Sequence, residues 1–200
     1  MKDKYQTVAK QSQGLYKEKG SKFLSFVFPV SNEEEIKQHQ AEIRKAYYDA
    51  RHHVFAWRLG VDENNYRASD DGEPANSSGM PVLGQIRSFE LSDILIIVVR
   101  YFGGTKLGVP GLINAYKTAA KNAIEQNQIV DKIINNTFRI AFNYDDTNTI
   151  MRFLKEQNIE PYHLNFQLSC ELDIDVRLKD SEKISNLLSE IPNIKHKQIS

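Results

Sequence analysis

An apolar, largely β-branched run, Ile94-Leu-Ile-Ile-Val-Val99, leads directly into Arg100-Tyr-Phe-Gly-Gly-Thr-Lys-Leu-Gly-Val-Pro-Gly-Leu112, and this junction constrains the fold more than any other stretch. The pattern predicts a strand ending at Tyr101, after which Gly103, Gly104, Gly108 and Gly111 carry the backbone into a helix over about Pro110 to Gln126. Pro110 suits a first helical turn, where its missing N–H would have no intrahelical partner. Such a junction aims unpaired backbone N–H groups and a partial positive charge at one point, which suits an anion. Arg100 or Lys106 would add a cation, and Tyr101 or Phe102 a ring on which a base could stack; for Phe102, core packing is the favoured expectation. The competing reading is that the glycines make only a tight turn. The segment is neither a Walker loop nor a G-x-G-x-x-G turn, because Val109-Pro110 stands where Lys and Ser/Thr would be required.

Two blocks lie upstream: Ala50-Arg-His-His-Val-Phe-Ala56 and Ser69-Asp-Asp-Gly-Glu-Pro-Ala-Asn-Ser-Ser-Gly-Met-Pro-Val-Leu83. Asp70, Asp71 and Glu73 could supply oxygens to a magnesium ion. The alternative is a solvated turn in which the Asp side chains accept from nearby N–H groups and Gly72 provides positive φ. A calcium loop over Asp62–Glu73 is excluded, since Arg67 occupies its obligatory glycine position. His52 and His53 are neighbours on a predicted strand and should point to opposite faces, so His53 is expected to have a structural role facing the turn. Ser77 and Ser78 lack the G-x-S-x-G setting of a nucleophile elbow.

The charges balance, at 26 basic and 26 acidic residues, which excludes a broadly cationic nucleic-acid binder and leaves only a local patch for such contacts. Arg51, Arg58, Arg67, Arg100 and Lys106 are the residues from which that patch would be built. No run approaches the roughly 18 apolar residues of a membrane span, and the first residues lack a signal-peptide core. Cys170 is the single cysteine, so neither an internal disulfide nor a cysteine zinc cluster can form. A cytoplasmic chain without membrane contact is expected, with a monomer favoured and no cofactor beyond the magnesium alternative.

The organisation reads as two domains, residues 1–130 and 135–200, joined by a linker over Asn127–Ile134. In the first, residues 1–20 are polar and expected to be loosely held. A strand follows at Ser21–Pro29, then a helix capped by Ser31 with Glu34 as its capping-box partner, then a strand at Val54–Leu59 and a short helix from Gly79 to Phe89. Leu112, Ala115, Tyr116, Ala119 and Ala123 recur at helical spacing after the junction. An α/β sandwich of two layers follows. In the tail, strands at Thr137–Tyr144, Ile159–Gln167, Leu172–Leu178 and Asn193–Ile199 alternate with helices at Thr147–Gln157 and after Asp180. The order β-α-β-β-α-β is that of a ferredoxin-like unit, giving an α+β chain. Its third strand exposes Glu171, Asp173 and Asp175 and offers no ring platform, which argues against RNA on that face.

Taken in order, the blocks resemble the YigZ/IMPACT family. The matching residues are His53 and Ala56, Asp71-Gly72-Glu73-Pro74, Gly79, Pro81, Arg100-Tyr-Phe-Gly-Gly104, Lys106-Leu-Gly108, Gly111-Leu112 and Ala115-Tyr116. Ser77-Ser78 stands where the family often has Thr-Ala, and Val109-Pro110 replaces small or glycine residues. The resemblance implies a ribosomal-protein-like N-terminal sandwich with a left-handed crossover. Eukaryotic members bind the ribosome-associated activator of the amino-acid-starvation kinase, which implies a translation-linked role with a ribosome, RNA or translation-factor partner. The other expectation is a metal-dependent enzyme on a small phosphorylated or carboxylated ligand, using Asp70, Asp71 and Glu73. A scaffold whose motifs only maintain the fold is the third.

Overall fold

The computed structural model describes residues 3–166 and 169–199, a mixed α/β chain. It packs as two compact units: Tyr5–Lys132, and the residues from Ile133 onward, with which the chain up to Lys4 clusters. The first unit contains β1 (Lys4–Val8), β2 (Ser12–Glu18), β3 (Ser21–Pro29), α1 (Glu33–Ala46), β4 (His52–Arg58), β5 (Tyr66–Ser69), α2 (Gly79–Ser88), β6 (Ile94–Tyr101), α3 (Gly108–Glu125) and β7 (Ile129–Ile133). The second contains β8 (Asn135–Asn143), α4 (Thr147–Glu156), β9 (Pro161–Phe166), β10 (Ser169–Arg177), α5 (Ser181–Ser189) and β11 (Lys195–Gln198). Gln167, the end of the strand expected at Ile159–Gln167, lies outside the described residues.

The apolar run becomes β6, the middle strand of a five-stranded antiparallel sheet ordered β2-β3-β6-β4-β5. Because successive side chains alternate faces, Ile94, Ile96 and Val98 enter a core with Leu83, Ile86 and the Leu112-Ala115-Tyr116-Ala119-Ala123 stripe of α3. Leu95, Ile97 and Val99 enter a separate core with Phe28, Trp57 and the Ile36 and Ile43 side chains of α1. Helices therefore cover both faces, which corrects the two-layer expectation. The physical reason is the strand itself: an unbroken apolar run needs cover on each side.

Three further expectations are corrected. The described part of the segment expected to be loose, residues 3–20, is ordered, since β2 pairs with β3 along its whole length and Ser12 Oγ donates to the Ala123 carbonyl at 2.7 Å. The linker segment holds β7, which pairs with β1 in a two-stranded ribbon. Helix α1 is capped by Asn32 rather than Ser31: the Asn32 side chain accepts from Glu35 N–H at 2.9 Å, and Glu35 Oε2 accepts from Ser31 N–H at 2.7 Å. The cap thus sits one residue further along, and the Glu35 carboxylate closes on the N–H preceding the cap rather than on that of Asn32 itself.

In the second unit an antiparallel sheet ordered β11-β8-β10-β9 lays its apolar face on α4 and α5. Leu172, Ile174 and Val176 of β10 and Cys170 are buried there with Ile150, Leu154 and Leu188. On the opposite face Arg139 clasps Asp173 with two hydrogen bonds of 2.8 and 2.9 Å. Asp180 precedes α5 without capping it through its side chain. Among the described residues no helix is long and apolar enough to cross a membrane.

Candidate functional site

The Asp70–Ser78 turn is built around its own carboxylates. Asp70 Oδ1 accepts from Ser78 N–H at 3.0 Å, Ser78 Oγ at 2.7 Å and Gly79 N–H at 2.8 Å, while Oδ2 accepts from Asn76 N–H at 2.8 Å. Asp70 thus serves as the cap that Ser78 does not provide for α2. Burial pushes its carboxyl up, but the hydrogen bonds from Ser78, Gly79 and Asn76 outweigh burial and hold it below the usual carboxylate range. Asp71 and Gly72 follow at φ of 40° and 87°, so two left-handed residues reverse the chain. Asp71 Oδ2 accepts from the His53 backbone N–H at 2.6 Å, and Arg44 reaches Oδ1 at 3.2 Å. His52 Nδ1 lies 2.9 Å from the Asp71 carbonyl. His52 and His53 do turn to opposite faces: His53 Nε2 lies 3.0 Å from the Tyr47 carbonyl, on the α1 side of the sheet. Both serines are committed, Ser77 Oγ to the Pro74 carbonyl and Ser78 Oγ to Asp70.

This reversal drops Glu73 onto the end of the sheet. Phe23, Arg100 and His52 form one row there, paired across β3, β6 and β4. Glu73 Oε1 accepts from Arg100 at 2.6 Å and from the Tyr116 hydroxyl of α3 at 2.8 Å, with His52 Nε2 at 4.0 Å. The Glu73 and Arg100 side chains are only 4% and 8% exposed. Tyr116 packs edge-on against Phe23, with ring centres 5.1 Å apart. Burial, then the charge of Glu73 and its hydrogen bond, push the Tyr116 hydroxyl far above its ordinary range. Arg100 is therefore a neutralised core cation and not a free grip for an outside anion, which corrects its expected place in the anion site. At the end of an otherwise apolar strand its charge requires a buried partner.

The rest of the junction diverges from Arg100. Tyr101 donates to Asp49 at 2.7 Å, and that bond, aided by burial, pushes its hydroxyl up to about 12. Phe102 is 55% exposed, contrary to the core placement expected for it, and its ring centre lies 5.7 Å from the Arg100 guanidinium. Gly103 abuts the Gly20–Ser21 backbone, where any Cβ would overlap main-chain atoms, and its N–H donates to Ser21 Oγ at 3.1 Å. Gly104 (φ 86°) borders open space, Lys106 is exposed, and Gly108 (φ 72°) begins α3. No side chain caps α3 and its first turn contains no acidic residue. Pro110 offers no N–H, leaving those of Gly108, Val109 and Gly111 as the first-turn donors. Lys106, Gly104 and this helix start thus form an exposed surface ending in Phe102.

The five-residue basic patch does not assemble. Arg51 and Arg58 flank opposite ends of β4, separated by roughly 20 Å of strand. Arg67 pairs with Trp57, Arg58 with Tyr66 on the other face, and Arg100 is buried. No local pattern in the sequence marks the Glu73–Arg100–Tyr116 network as a unit. Its signals were a charged residue closing an apolar strand and a tyrosine on a buried helical stripe, each requiring a polar partner. Among the described residues, no group of three or more His, Cys, Asp and Glu side chains is arranged to hold a metal.

The sheet, its helices and the turn locked over it define a mixed α/β protein whose sequence motifs converge at one end of the first unit. The chain belongs to the IMPACT family: the Impact N-terminal domain model matches residues 19–124. It is 28% identical over 173 residues to the IMPACT family member YvyE of Bacillus subtilis, covering 86% of this chain and 80% of that one. It is 36% identical over 110 residues to the IMPACT family member YigZ of Escherichia coli, covering 54% of each. A crystal structure described as that of a hypothetical protein superposes with a TM-score of 0.77 at 25% identity, covering 100% of this chain and 99% of the other.

Proposed function

We propose that this protein is a cytoplasmic, translation-linked regulator that contacts RNA or the ribosome through the Phe102–Gly111 surface. The observation that carries the reading is the uncapped, acid-free start of α3 beside exposed Lys106 and Phe102. Backbone N–H groups and an ammonium there suit phosphate, and the ring suits a stacked base. Gly104 and Gly108 carry no side chain at either end of Thr105–Leu107, so a phosphate can approach the backbone at those two positions. Family membership supports a translation-linked role, and the resemblance supplies its ribosomal-protein-like reading of the first unit with a left-handed crossover. The second unit's sheet order and β-α-β-β-α-β sequence support a ferredoxin-like reading.

The enzyme alternative would need Asp70, Asp71 and Glu73 released from the bonds that cap α2, tie His53 and neutralise Arg100. Metal-dependent turnover lost in Asp71→Ala, in a broad screen with and without magnesium, would favour it. Ribosome co-sedimentation at two salt concentrations tests the main reading. Wild-type chain should pellet with ribosomes at low salt and release at high salt, and Phe102→Ala combined with Lys106→Glu should abolish retention. Equal retention of the variant would exclude this surface.

A further inference from the structure

A groove of about 660 Å³ runs between α2 and α3, away from the glycine loop. Its Lys117 and Lys121 lie roughly 14 and 20 Å along α3 from Gly108. Two features of its lining have no use inside the chain, Gly84 and exposed Ile113. Gly84 sits within α2, has no positive φ, and a Cβ built there would meet nothing within 4 Å. A glycine in a helix interior lowers stability relative to alanine, and neither a turn nor internal packing requires it here. Gln85 lines the same groove, is only 6% exposed, and is not among the buried side chains left with an unpaired polar atom. Ile113 is 38% exposed beside partly buried Phe89. The charged lining is Lys117, Lys121 and Glu125, and Glu125 lies 3.6 Å from Lys121, which leaves a net positive wall.

We propose that this groove docks an acidic peptide segment of a partner protein. An apolar side chain of that segment sits over Gly84 between Phe89 and Ile113, and its carboxylates meet Lys117 and Lys121. RNA could satisfy the lysines but offers no aliphatic side chain to the lining of Gly84, Phe89 and Ile113. The missing methyl at Gly84 is what lets the segment approach the α2 backbone.

The test is selection of a displayed library of random twelve-residue peptides on the full chain, followed by titration of the selected peptides. Enriched sequences should combine Asp or Glu with a large apolar residue. Their affinity should fall about tenfold or more on Lys117→Glu with Lys121→Glu, and likewise on Gly84→Ile. Gly84→Ala should raise the melting temperature while weakening the same peptides, a divergence that a purely structural glycine would not produce. Both lysines are exposed, so the charge reversal carries the test even where Gly84→Ile perturbs the fold. Absence of any enriched group, a basic or uncharged consensus, undiminished binding to the lysine variant, or a dimer of the free chain dispersed by Gly84→Ile would each overturn the proposal.

Discussion

Arg100 closes the most apolar strand of the protein, and its charge explains why Glu73 and Tyr116 are where they are. Removing Glu73 leaves the guanidinium buried without its counter-charge, which typically costs about 3–5 kcal/mol. Glu73→Ala should therefore lower unfolding free energy by about that amount in urea titrations, and Glu73→Leu with Arg100→Met should recover much of the loss. A second carboxylate gives a pH signature. Hydrogen bonds from Arg139, then His163, hold the Asp173 carboxyl down at about 2 against the opposing effect of burial. Its unfolded value is about 3.9. Because the folded value is the lower one, its stabilisation is complete above about pH 4 and drains away as pH falls towards about 2. Acid melts of Asp173→Asn should be flatter across that window than those of the wild type. Neither network was legible residue by residue: Glu73 and Arg100 lie 27 positions apart, and Asp173 and Arg139 lie 34 apart. Pairings of that span are set by the sheet register.

At the level of elements, the two glycines that begin the loop have different tasks. Gly103 is a close-approach residue, with a Cβ built there 1.9 Å from the Gly20 carbonyl carbon and 2.1 Å from Ser21 N. Gly104 has positive φ and open surroundings. Gly103→Ala should force β3 and β6 apart at Gly20–Tyr101 and destabilise the unit by more than 2 kcal/mol, about twice the ~1 kcal/mol left-handed penalty of Gly104→Ala. Thermal melts of the two variants measure the difference. Periodicity revealed β3, α2, α3 and the strand–helix alternation of the second unit because their signals are local. It did not reveal β5 or β7, which are short and largely polar and are ordered by partners distant in sequence. The second layer of helix was encoded in Ile94–Val99, where apolar side chains on both faces of one strand demanded cover.

Across the whole molecule, the motifs separate into an interior that holds the fold and a surface left for a partner. Asp70, Asp71, Glu73 and Arg100 belong to the interior framework, joined by His53 and Tyr116. Phe102, Gly104, Lys106 and Gly108 belong to the surface. The sequence presented Arg100 and the glycine loop as one anion site because they adjoin on the same segment. Burial separates them, and burial follows from sheet register and from the Asp71–Gly72 reversal, neither of which has a local signature.

The most direct measurement is a titration of the isotope-labelled full chain with short single-stranded RNA, read by backbone amide chemical shifts. The account predicts movement of the Gly104, Lys106, Gly108 and Gly111 amides, shrinking as salt rises, with the Glu73–Arg100 region unmoved. Amides of the glycine loop that stay fixed at saturating RNA, or shifts confined to the sheet of the second unit, would contradict it.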